Sequence, residues 1–149
     1  MDDLDQYEED CERIKEENKK ILDEFEAWLE SKKLSEKTVL KHSENIDLYI
    51  NDYLLYEDAT EAQDGICSVD MFLGYWFIRK AMWASPASIR DNAASLKKFY
   101  QFMLEKGCVT KEDVEDMNKT IKRNMPLWLD RMRRYDDLEI EDMEEVWGF

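Results

Sequence analysis

Few residues of this chain have the type and spacing that catalysis requires. The single histidine, His42, would have to serve any histidine-assisted nucleophile. It lies on the apolar side of the helix that its neighbours predict, where a histidine more often packs and forms a hydrogen bond than acts as a base. Carboxylate acid–base chemistry needs two carboxyl groups that converge in a cleft, and 36 acidic residues spread along the chain single out no pair. The sequence therefore predicts a protein that is not an enzyme.

Cysteine spacing and glycine content argue against metal and phosphate sites. Cys11, Cys67 and Cys108 lie far apart, so no pair has the spacing of a zinc knuckle or a redox motif. We expect them to be buried, unreactive thiols. Gly65 and Gly74 are the nearest approach to a glycine-rich phosphate loop, and they do not form one. We expect no metal and no other cofactor.

Hydropathy and cysteine usage indicate the compartment. No hydrophobic run reaches the ~20 residues that span a membrane. The N-terminus is acidic, with aspartate at positions 2, 3 and 5, which is the reverse of a signal peptide. Three unevenly spaced cysteines fit a reducing compartment. We expect a cytoplasmic protein with no membrane partner.

The charge of the chain is segregated along its length. The formal net charge of −15 would repel nucleic acid if it were spread evenly. Residues 1–30, however, hold 13 acidic and 4 basic residues, and residues 135–149 hold seven acidic residues and no base. Residues 71–107 hold six basic and two acidic residues. Residues 108–134 hold seven basic and five acidic residues. A mildly positive centre between acidic ends leaves DNA binding open.

The elements that position these charges are helices. The first predicted helix covers residues 4–31, and we expect its acidic residues 1–12 to project or fray. The second begins after the N-cap Ser35, with Leu34 and Val39 at the two positions of a hydrophobic staple, and ends near Leu55. Residues 56–67 follow as a loop that is long enough to be mobile.

Three more helices follow. Ser68 is predicted to cap a third helix that is apolar nearly all round, which favours a central position. A fourth begins at Ser85, with Ser88 as a rival cap. A fifth begins at Thr110, and Pro126 is predicted to break it so that a shorter helix follows.

These elements predict an all-α fold, a compact bundle of four to five core helices. The predicted domains are an acidic N-terminal helix extension over residues 1–21, a core over residues 22–134 and an acidic tail over residues 135–149. The tail either makes one last amphipathic turn or stays loose. The aromatic run at residues 75–77 could stack bases, but we expect it to fill the core.

Three stretches of the core share a pattern with a known family. The first joins residues 25–29 (Phe-Glu-Ala-Trp-Leu) to residues 34–39 (Leu-Ser-Glu-Lys-Thr-Val). The second is residues 69–73 (Val-Asp-Met-Phe-Leu), and the third is the amphipathic stretch at residues 88–103. In this order they resemble the N-terminal core-binding (SAM-like) domain of tyrosine recombinases and phage integrases, over residues 22–123.

The resemblance implies a DNA-binding surface. In that family the second and fourth helices of the domain face the major groove. The positions carried over to this chain are Lys37, Thr38 and Lys41 on the second helix and Ser88, Arg90, Lys97 and Lys98 on the fourth. They lie off the apolar stripes, so their basic members are free to pair with phosphates, or they are ordinary solubilising charges. Asp91 and the acidic residues 57–64 depart from the positive clamp that the resemblance implies.

The resemblance also implies what the chain does not do. The recombinases of that family need a second domain with arginines, a His-x-x-Arg box and a tyrosine nucleophile. The sequence at residues 42–45, His-Ser-Glu-Asn, is no such box, and only 26 residues follow Arg123. We therefore expect a non-catalytic module in DNA integration or recombination, such as a mobile-element accessory protein. Its partners would be double-stranded DNA and a recombinase catalytic subunit or other protein. The alternative is an acidic helical protein–protein interaction module that keeps the fold without binding DNA.

Overall fold

The computed structural model describes the backbone of residues 3–147 and the side chains of residues 3–138. Those residues form helices and no β-strand, so the all-α prediction is confirmed. The α-helices are α1 (Asp3–Ser31), α2 (Glu36–Asp47), α3 (Val69–Met71), α4 (Phe77–Lys80), α5 (Pro86–Glu105) and α6 (Lys111–Trp147). A π-helical stretch, Leu48–Tyr53, continues α2, and a second, Phe72–Trp76, joins α3 to α4. A 3₁₀ turn, Asp64–Ser68, leads into α3.

The helix starts follow local capping chemistry. The Ser35 hydroxyl accepts a hydrogen bond from a backbone amide in the first turn of α2. Ser85 caps α5, and Ser88 is its reciprocal partner in a capping box rather than the cap itself. Thr110 and Asp113 exchange side chain-to-backbone hydrogen bonds at the start of α6. These three predicted starts are confirmed.

The core is built around α5, which packs against both α2 and α6. The side of α5 that carries Ile89, Leu96 and Phe99 is buried. Phe25 of α1 meets the Phe99 ring edge-on, with centroids 5.3 Å apart. Such aromatic pairs stabilise the fold by about 1 kcal/mol beyond the contribution of the apolar area that they bury. The residues of α5 that face away from this core are therefore the ones free to form a binding surface.

The predicted loop over residues 56–67 is anchored to the core rather than free. The Tyr100 hydroxyl donates a hydrogen bond to the Ala62 carbonyl over 2.8 Å, and the Tyr49 hydroxyl donates to the Gly65 carbonyl. Since the 3₁₀ turn at the end of this segment runs straight into α3, Ser68 forms no side-chain cap, and that prediction is wrong.

The first half of α1 also packs against the domain. Cys11 and Ile14 are buried together with Leu55, and the Tyr7 hydroxyl donates to the Leu55 carbonyl. The expectation that residues 1–12 project is therefore wrong for Tyr7 and Cys11. Tyr7, Cys11 and Ile14 follow one another at four- and three-residue spacing, which indicates one buried face of a helix. The packing of this half of α1 could have been predicted from that pattern.

The helix α6 continues through Pro126, so the prediction of a break there is wrong. The proline removes one backbone hydrogen bond and costs about 3 kcal/mol in a helix interior. Beyond it, however, Trp128 and Met132 are buried on the same side of α6 as Ile121 before it. Burying large side chains stabilises by about 1.5–3 kcal/mol each, which outweighs the proline. The backbone of residues 135–147 is helical, whereas the amphipathic packing predicted for the tail falls outside the described side chains.

The cysteines differ in exposure. Cys11 is buried and Cys108 is half-buried, but Cys67 is exposed in the 3₁₀ turn. The expectation of three buried thiols is therefore wrong at Cys67, because this turn presents its side chain outward while Ile66 beside it faces the core.

Candidate functional site

An open groove of about 1110 Å³ lies between α5 and α6, with Trp28 of α1 among its lining residues. Its apolar lining, besides Trp28, comes from α6: Val114, Ile121, Met125, Pro126 and Leu129. Its basic lining comes from α5 and α6: Arg90, Lys97, Lys98, Lys122 and Arg133. We call this surface the basic groove. Among the residues whose side chains the structure describes, no aspartate or glutamate lines the groove.

Helical spacing explains why these cations share one surface. Arg90 and Lys97 are seven residues apart on α5, which is two helical turns, and Gln101 follows four residues later on the same side. Lys122 and Arg133 are eleven residues apart on α6, which is three turns. Because α5 and α6 pack side by side, the two rows face the space between the helices.

The groove cations form no ion pair with the carboxylates that the structure describes. Among the side chains of residues 3–138, none of the five forms an ion pair within 4.0 Å of a carboxylate. The cations that do form ion pairs lie elsewhere: Arg13, Lys41, Lys106 and Arg134. In a chain with a net charge of −15, the groove therefore concentrates positive charge. Its field attracts anions from solution.

The structure brings part of the predicted DNA surface together. Arg90, Lys97 and Lys98 line the groove. Lys41 instead forms an ion pair with Asp91 over 2.8 Å, so a carboxylate on α5 neutralises the cation that α2 was expected to contribute. Lys37 is exposed on α2 and does not line the groove.

The two predicted hydroxyl contacts serve helix starts. The Thr38 hydroxyl accepts a hydrogen bond from the Ser35 hydroxyl over 2.9 Å. The Ser88 hydroxyl accepts a hydrogen bond from the backbone N–H of Ser85, with 2.8 Å between nitrogen and oxygen. Both side chains therefore have partners within the protein.

Sequence reasoning missed the α6 half of the groove. Lys122 and Arg133 are exposed and lie on either side of Met125, Pro126 and Leu129. The sequence places the two cations eleven residues apart, which is three turns of one helix. They share a face only if that helix is continuous through Pro126, and the sequence predicted a break there.

His42 is buried between α2 and α5, with Nδ1 2.7 Å from the Ser95 hydroxyl oxygen. The same hydroxyl accepts a hydrogen bond from the Asn45 side-chain amide over 3.0 Å and lies 3.1 Å from the Asp91 carbonyl oxygen, so the ring is held in a buried polar network. Burial, together with the charges of Lys98 and Lys41, lowers the pKa of His42 below its ordinary value. The ring is therefore neutral near pH 7 and serves as a packed, hydrogen-bonded core residue.

The part of the chain that the structure describes contains neither a candidate metal-ion cluster nor a helix that could span a membrane. There, no three histidine, cysteine or acidic side chains come close enough together to hold a metal ion. No helix within residues 3–147 has both the length and the apolar character needed to cross a bilayer.

The chain was compared with protein-family models, with curated proteins and with solved structures, and none of the three comparisons gave a match.

Proposed function

We propose that this chain is a non-catalytic DNA-binding module that contacts the phosphates of a duplex through the basic groove. The observation that carries the proposal is the groove lining, which holds five lysine and arginine side chains and no carboxylate from residues 3–138. Lysine and arginine at such a surface gain affinity by releasing the counterions that surround DNA.

The dimensions of the groove suit a duplex. Lys122 and Arg133 are separated by about 16 Å along the axis of α6, from eleven residues at 1.5 Å each. A duplex presents about ten phosphate charges over that length. Those charges lie on all sides of the duplex, so the five groove cations would meet the phosphates on the side that faces them.

The contacts determine the kind of binding. Phosphate contacts position a protein on DNA but carry no sequence information. We therefore expect binding that tolerates many sequences and depends strongly on salt. The resemblance to a core-binding domain supports part of this surface, since three of the seven positions that it implies, Arg90, Lys97 and Lys98, line the groove.

The test is fluorescence anisotropy of a labelled duplex titrated with the full chain at low salt. The variant Lys97→Glu/Lys122→Glu reverses one exposed cation on each wall of the groove. Its matched control is Lys19→Glu/Lys20→Glu, which makes the same change in net charge on the exposed side of α1. We expect the wild-type chain and the control to bind and the groove variant to lose binding.

Two results would overturn the proposal. Failure of the wild-type chain to bind at 50 mM salt would remove DNA as a ligand and leave the protein-interaction module as the surviving hypothesis. Equal losses in the groove variant and the control would show that net charge, not the groove, governs binding.

A further inference from the structure

The basic groove has an apolar floor that DNA phosphates do not use. Met125 is half-buried and Pro126 is exposed, and both line the groove beside the cations. A polar anion leaves this floor in contact with water. A ligand that matches both features is an amphipathic helix with acidic residues beside its apolar face, which is a common mode of helix-in-groove recognition.

The chain itself contains such a segment, and we propose that residues 135–149 of one copy bind in the basic groove of a second copy. In sequence the segment has seven acidic residues and no base. Ile140, Met143 and Trp147 recur at the three- and four-residue spacing of one helix face. Its backbone is helical as far as Trp147.

The course of α6 explains why the groove must belong to a second copy. Arg133 is the last residue of α6 that lines the groove, and the helix continues from it without interruption to Trp147. A continuous helix carries the acidic segment onward along its own axis. It therefore does not fold back onto the groove that the same helix forms.

Length and charge both fit. The fourteen residues from Arg133 to Trp147 extend about 21 Å, and the wall from Val114 to Arg133 extends about 28 Å. Seven negative charges would meet five positive ones. If each copy both donates its segment and accepts the other's, the pair closes as a symmetric dimer.

This inference does not rest on DNA binding. The segment and a duplex would compete for one groove, but self-association is measured without DNA. Sedimentation equilibrium of the full chain should show a dimer at 50 mM salt that dissociates as salt rises, because the contact is largely electrostatic. A chain that remains monomeric at 50 mM salt and 100 µM protein would overturn the proposal.

Charge-swap variants test the groove and the segment separately. Lys97→Glu/Lys122→Glu in the groove should weaken self-association about 30-fold, and so should Glu141→Lys/Glu144→Lys in the segment. Combining all four substitutions in one chain should restore the dimer. Misfolding cannot produce that rescue, so its absence from a folded combined variant would overturn the proposal.

A labelled peptide of residues 135–149 distinguishes groove recognition from general attraction of acid to base. It should bind the full chain and be displaced by an excess of the same peptide without the label, since both compete for the groove. A peptide carrying Ile140→Ser and Met143→Ser has the same charge but lacks two apolar side chains, and it should bind at least tenfold more weakly. Equal binding of the two peptides would overturn the proposal.

Discussion

Neutralising Lys97 and Lys122 should reduce the salt dependence of DNA binding by an amount that follows from the groove. Each cation that neutralises a phosphate contributes about 0.9 to the slope of log affinity against log salt. Five groove cations therefore give a slope of about −4.5, and the three that remain in Lys97→Gln/Lys122→Gln give about −2.7. Between 50 and 200 mM salt, wild-type affinity should fall about 500-fold and variant affinity about 40-fold.

The assay is the Kd of a labelled duplex measured by anisotropy across that salt range at fixed pH. Lys19→Gln/Lys20→Gln provides the control, because it removes the same charge from exposed positions on α1. Its slope should equal that of the wild-type chain. A groove variant whose slope matches the wild type, or a control whose slope falls as far as the variant's, would refute the assignment of these lysines to phosphate contacts. Thermal unfolding of both variants should match the wild type, since glutamine fits an exposed helical position.

Further predictions concern stability and the acidic tail. In Gly74→Ala the new Cβ would lie 2.7 Å from Trp128 Cδ1, so the variant should lose about 1–3 kcal/mol in urea unfolding despite the better helix propensity of alanine. A gain in stability would contradict this contact. Tyr100→Phe should lose about 0.5–1.5 kcal/mol, because it removes the shorter of the two hydrogen bonds that the Ala62 carbonyl accepts, the other coming from the Gly65 N–H, and a neutral result would contradict the anchored loop. The folded pKa of His42 is lowered, so the unfolded chain takes up more protons as pH falls through about 6.5. Wild-type stability should therefore decrease from pH 7.5 to 5.5 more than that of His42→Gln, and parallel pH profiles would contradict a buried neutral ring. Deleting residues 135–149 should tighten DNA binding by removing seven acidic residues, and unchanged affinity would show that the tail does not compete.

The deletion must be confined to the C-terminal end. The acidic residues 1–12, which the sequence predicts to project or fray, must stay in place together with the rest of α1. Ile14 is buried, and the Asn18 side chain donates to the Ile50 carbonyl. Removing these contacts would expose the apolar core at Leu55 and destabilise the fold. A loss of DNA binding could then result from unfolding and would not report on the acidic charge.

The features that were predictable from sequence are those that depend on neighbours along the chain. Ser35, Ser85 and Thr110 mark helix starts because an N-cap bonds to an amide two or three residues away. The course of α6 was not predictable in this way. The local cost at Pro126 is visible in the sequence, but the compensating burial of Trp128 is a property of the packed fold.

The same distinction applies to the site. Arg90 and Lys97 were implied by the resemblance to a core-binding domain, and their position off the apolar stripe of one helix follows from the 3.6-residue period. Lys122 and Arg133 join them only because α6 packs beside α5. The pairing of Lys41 with Asp91 is also tertiary, and it moves the positive surface away from α2 and onto the groove.

The clustering of five cations along one groove needs an explanation beyond solubility. A chain with a net charge of −15 is already repelled from its copies. Five cations that line one groove repel one another, and a bound anion relieves that repulsion. Both proposed ligands supply that anion, and they cannot occupy one groove together. The concentration of the chain would then determine the outcome. Dilute monomers would present an open groove to DNA, whereas at higher concentration the groove would be filled by the acidic segment of a second copy. Apparent DNA affinity should therefore fall as the total protein concentration passes the self-association constant.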